Sequence, residues 1–158
     1  MKLILLAILL LSSISLFSQL NVDELDREIN RATKGKLQHF RKGTKPNILS
    51  VYAYKSDGKI FSVMNREEFK SGKKVDSLIG YQFGFINDTL LRVWYMYDTF
   101  TSKDKIRGMI MAYISHDKIV ALKVSGNTTL PSIQTLIEKS NALKIQAIEL
   151  VNLSKSNL

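Results

Sequence analysis

The sequence predicts an α+β domain: about six antiparallel strands in a meander of three hairpins, an amphipathic helix before them and a long C-terminal helix packed on the sheet. Three observations predict it. Apolar residues recur with a period of two from Ile48 onward, turn dipeptides cut that stretch into hairpins, and apolar residues at helical spacing flank it on both sides. The 158 residues are enough for one domain with a real core.

Residues 1–18 stand apart from that domain. Lys2 precedes an aliphatic run from Leu3 to Leu11, which passes through Ser12, Ser13 and Ser15 into a polar stretch. A basic start, an apolar middle and small residues at the end are the signature of a secretory signal peptide. The expected mature chain is a single domain over 19–158, exported to the periplasm or secreted, with no transmembrane span after cleavage. An uncleaved N-terminal anchor is the alternative, because Leu3 to Leu20 has roughly the length that spans a bilayer core. The chain has no cysteine, which excludes disulfides, thiolate metal sites and a cysteine nucleophile. An exported chain stabilised by core packing alone fits a bacterial cell envelope.

Asn21 is the expected cap of a helix over 21–35, with Glu24 three residues on and Val22, Leu25, Ile29 and Ala32 on one side. Residues 36–47 read as a basic loop ending in Lys45-Pro46-Asn47. The antiparallel sheet then covers 48–125, with strands at 48–56, 59–64, 78–86, 89–98, 106–115 and 118–125. Asp57-Gly58, Asn87-Asp88 and His116-Asp117 are the hairpin turns. Between the first two hairpins, 65–77 is expected to be a connection with one helical turn at Arg66 to Phe69. Thr128-Thr129-Leu130-Pro131 opens a helix over 130–153, proline being welcome in a first turn.

Two-residue turns fix cross-strand partners, and partners share a face. On that basis Phe85 pairs with Leu90, Phe83 with Arg92, Tyr81 with Trp94 and Ile79 with Met96, which crowds one face with aromatics. Gly80 and Gly84 leave gaps on the other. The aromatic face is either core or the wall of a cavity for an apolar or glycan ligand, with Tyr81, Phe83, Arg92 and Trp94 as the binding residues.

Charge supplies the second candidate surface. The net charge is +9, and the stretch from Ile29 to Ser56 contains no acid. Arg31, Lys34, Lys36, Arg41, Lys42 and Lys45 form a basic patch there, either simply solvated or drawn to an anionic envelope component or an acidic protein partner. Nucleic acid is not an expected partner of an exported chain.

Catalytic patterns are missing. Ser115, His116 and Asp117 are adjacent in a tight turn, where they cannot hydrogen-bond in the series a hydrolase triad needs. His39 and His116 lack the neighbours of a metal site, and no glycine-rich phosphate loop occurs, so neither a metal nor a cofactor is expected. The sequence thus favours a non-enzymatic binding or accessory protein. The alternatives are a small periplasmic enzyme with a scattered site, such as Arg92, Asp98, His116 and a tyrosine, and an oligomerising structural domain.

Overall fold

The computed structural model describes residues 26–27, 31, 37–100, 105–116 and 118–156. The expected signal peptide lies outside them, as does the expected 21–35 helix apart from Asp26, Arg27 and Arg31, which are helical. Seven strands form one open sheet in sequential order: β1 (Leu37–Lys42), β2 (Asn47–Tyr54), β3 (Ile60–Ser71), β4 (Lys74–Ile86), β5 (Thr89–Thr99), β6 (Arg107–Ser115) and β7 (Lys118–Gly126). Every neighbouring pair is antiparallel. One helix, α1 (Ile133–Ser156), follows and packs on a single face of the sheet. The expected meander and C-terminal helix are therefore present, with one strand more than expected.

The additional strand is β1, which corrects the expected basic loop at 36–47. Its apolar alternation is hidden because β1 is an edge: Phe40 alone is buried, opposite Val51, while Gln38, His39, Arg41 and Lys42 are exposed. The expected connection at 65–77 is corrected too. β3 and β4 run on to a tight turn at Gly72-Lys73, with Gly72 at φ 63° and Ser71 paired with Lys74. Arg66, Glu67 and Glu68 disguise this stretch, since charge normally marks a solvated segment. Here Glu68 is inside, its side chain 1% exposed, with Arg66 at 2.9 Å and Lys45 at 3.6 Å.

α1 starts at Ile133, later than the spacing suggested, because Ser132 is the cap. Thr135 N donates to Ser132 Oγ at 3.1 Å, and Leu136 N donates to Ser132 O at 3.1 Å. Pro131 therefore precedes the helix instead of sitting in its first turn. Leu136, Ser140, Leu143, Ala147 and Val151 form the buried stripe, three or four residues apart. The stripe's hydroxyl is satisfied, as Ser140 Oγ donates to Ile137 O at 2.7 Å.

The core lies between α1 and the sheet. Its central row crosses the strands as Phe40, Val51, Val63, Phe83, Val93 and Ala112, joined by direct pairing. The last five are all 0–1% exposed. A parallel row runs through Leu49, Asn65, Tyr81, Tyr95 and Ile110. Leu130, on the segment leading to α1, closes the core over Gly108, where any side chain would collide with it.

Candidate functional site

Three of the four bulges in the sheet decide which of the candidate side chains share a face; the fourth, at Asp76, lies near the β3–β4 turn. The turns Asn87-Asp88 and His116 have the positive φ that tight hairpins require, and Phe85 does pair with Leu90 and Ile114 with Ile119. One pair farther on, each hairpin gains a residue: Leu91 in β5, and Val120 in β7. In the first hairpin the loop spans Lys55 to Lys59 instead of two residues, and Phe61 is the extra residue of β3. A bulge slips the register by one and exchanges the faces beyond it.

The expected aromatic face is accordingly divided. Phe83 pairs with Val93 and Tyr81 with Tyr95, on the α1 side. Arg92 pairs with Gly84, and Trp94 with Gln82, on the opposite side. Of the four expected ligand residues, Tyr81 and Phe83 thus belong to the core side, while Arg92 and Trp94 share the second face. The two predicted glycine gaps are filled by these same side chains. A Cβ at Gly80 would lie 3.4 Å from the Trp94 ring, and one at Gly84 would lie 3.5 Å from Arg92 Cβ.

The basic patch is also divided. Arg41 opposes Ser50, which in turn opposes Met64, so Arg41 is on the second face; Lys42 opposes Leu49 and is on the α1 side. Lys45 is turned to Glu68. Arg31 is helical and exposed, and Lys34 and Lys36 lie outside the described residues.

The second face therefore combines members of both expected sites, and it adds residues that sequence reasoning placed elsewhere. Pairing carries Arg41, Ser50, Met64, Gln82, Trp94 and Met111 across one row, and Ile48, Arg66, Gly80, Met96 and Met109 across the next. Four of the five methionines and the single tryptophan lie together here. A trough of about 300 Å³ is sunk into this surface, lined by Trp94, Met64, Met96, Ile48, Leu78 and Gly80, with Arg41 and Arg66 beside them. Arg66 is engaged by Glu68, whereas Arg41 makes no ion pair among the described residues. A flexible thioether wall adapts to ligands of irregular shape.

Farther along the same face, the Tyr113 hydroxyl faces the Asp26 carboxylate and the Arg92 guanidinium. Burial and the Asp26 carboxylate raise its pKa, while the guanidinium of Arg92 opposes the rise. His39 stacks on Tyr52 with ring centroids 4.6 Å apart. Arg92, Asp98 and His116 do not converge. Arg92 and Asp98 are six residues apart along β5, roughly 20 Å at strand rise, and Asp98 is paired with Arg107 at 3.0 Å. His116 is in the β6–β7 turn, where its Nδ1 lies 3.0 Å from Ser115 Oγ.

A larger cleft of about 490 Å³ lies on the α1 side, between the helix and the β4–β5 turn. Lys144 straps it, donating to Asp88 O at 2.7 Å and pairing with its carboxylate at 3.3 Å. The same side holds Tyr81 beneath Lys139, whose Nζ is 5.0 Å from the ring centroid and 3.1 Å from Glu67. Burial first, then the Glu67 carboxylate and Tyr95, push the Tyr81 hydroxyl from its ordinary value of 10 up to about 12. The folded state thus holds this proton more tightly than the unfolded chain does. Its contribution is complete below the unfolded value and is lost as pH climbs from 10 towards 12. Tyr81→Phe should accordingly lose less stability than the parent over that interval in urea titrations; an equal loss would refute the burial of this hydroxyl.

No helix among the described residues is long and apolar enough to cross a membrane. No family model, curated protein or solved structure matches the chain.

Proposed function

We propose that this chain is an exported, non-catalytic binding domain of a bacterial cell envelope, and that it holds an anionic amphiphile on the sheet face opposite α1. One observation carries the reading: an apolar trough lined by Trp94, Met64 and Met96 has at its edge the guanidinium of Arg41, which makes no ion pair among the described residues. Apolar walls with a few convergent polar groups are the ordinary form of a ligand site. The planar guanidinium suits a carboxylate or phosphate head, which it can meet with two parallel hydrogen bonds. The export signal read at residues 1–18 and the basic charge of +9 support an anionic envelope component as the ligand.

Trp94 is the sole tryptophan, so its fluorescence reports on the trough directly. Decanoate added below its micelle concentration should shift and enhance that emission, and decyltrimethylammonium should not. Arg41→Glu should weaken decanoate by about tenfold, the effect of removing a charge-assisted hydrogen bond and adding repulsion, while leaving decanol binding in place. Emission that ignores decanoate in the parent would overturn the proposal.

A further inference from the structure

β1 and β7 are the two edges of the sheet, and an edge strand offers unpaired N–H and C=O groups to any chain that can lie beside it. The two edges differ in how they meet this hazard. β1 carries His39, Arg41 and Lys42 around a single buried Phe40. β7 instead presents Ile119, Leu122 and Val124, which are 47%, 52% and 54% exposed.

These three side chains lie on the α1 side, because Ile119 opposes Ile114, Leu122 opposes Ala112 and Val124 opposes Ile110, all core residues. Each core row of the sheet thus reaches its last strand with an apolar residue still in water. The helix leaves β7 uncovered, and the apolar pattern runs on past the end of the buried core. On the other side of β7, Lys123 follows Met111 and makes no ion pair among the described residues.

We infer that β7 is a docking edge for an extended peptide whose apolar residues alternate with carboxylates. Such a strand would pair its backbone with the free edge of β7 and lay its apolar residues beside Leu122 and Val124. Its carboxylates would then fall on the opposite side, next to Lys123, because side chains alternate along a strand. A second copy of this chain fits less well. Pairing β7 with itself brings two basic edges together and supplies no acid to either Lys123. This surface is separate from the trough beside Arg41, and the two stand or fall independently.

The test uses calorimetry on the full chain with a capped octapeptide of alternating valine and aspartate. A second peptide of the same sequence carries N-methyl groups on alternate amides and cannot join a sheet along that edge. The unmethylated peptide should bind and the methylated one should not. Lys123→Glu should weaken binding by about tenfold, as an attractive cross-strand pair becomes repulsive, and Leu122→Asp should abolish it with the circular dichroism of the parent retained. Equal binding of both peptides, no binding at millimolar peptide, or indifference to Lys123→Glu would overturn the assignment. Sedimentation showing a dimer that Leu122→Asp dissociates would give the edge to a second copy and would overturn it as well.

Discussion

Phe83→Ala should lower unfolding free energy by about 3–5 kcal/mol, the cost of emptying a fully enclosed aromatic site. Phe83 is 0% exposed, between Val63 and Val93 on the α1 side of the sheet. Small domains have about 5–15 kcal/mol in total, so the variant should remain folded only marginally. In urea the midpoint should fall with an unchanged slope, because the same surface is exposed on unfolding. Trp94→Ala, one residue beyond Val93, should behave in the opposite sense. Its ring is half-buried on the second face, so stability should fall by much less while decanoate binding is lost. A mild Phe83→Ala beside a severe Trp94→Ala would reverse the two faces.

Gly108→Val is the second large effect, and its cause is crowding. A Cβ at this position would run into Leu130 and stand 2.9 Å from Thr128 Cγ2. The Leu130 and Thr128 side chains must then give way, on a segment that Asn127 Oδ1 and N hold to Arg107 at 2.8 and 2.9 Å. Overpacking of this kind costs about 1–3 kcal/mol, and more where a tethered segment has to move. Leu130→Ala in the same chain should recover part of the loss, an interaction that a double-mutant cycle in urea would measure directly. Gly84→Ala is the contrast. Its Cβ would meet Arg92 Cβ at 3.5 Å, an ordinary contact, and stability should barely change.

The fold was legible wherever local chemistry and tertiary environment agree. Asn87-Asp88 and His116 adopt the positive φ their residue types tolerate, and the strands and C-terminal helix follow the apolar periodicity. β1 was hidden because an edge strand with one buried residue looks like a basic loop. The continuation of β3 and β4 was hidden because Glu68 is buried with its charge held by Arg66 and Lys45. Arg41, Arg92 and Trp94 stood out in the sequence, and Arg92 and Trp94 were expected to share a face with Tyr81 and Phe83; the face they share with Arg41 was not legible. It depends on Leu91, one unpaired apolar residue that nothing in its neighbourhood marks as a bulge. The methionine wall followed from the same slip. Met96 was expected opposite Ile79 on the same face as Trp94, yet it pairs with Gly80 and moves with Trp94 to the side of Met64 and Met109.

The most direct test of the bulge, and therefore of the surface assigned to binding, is the set of nuclear Overhauser contacts made by the Trp94 indole. Contacts to the Gly80 α-protons and the Met96 methyl group should appear, matching ring-to-Cβ and methyl-to-Cβ separations of 3.4 and 3.9 Å at that glycine. Contacts from the indole to the Tyr81 ring and to Leu143 of α1 would put Trp94 in the core and contradict the account.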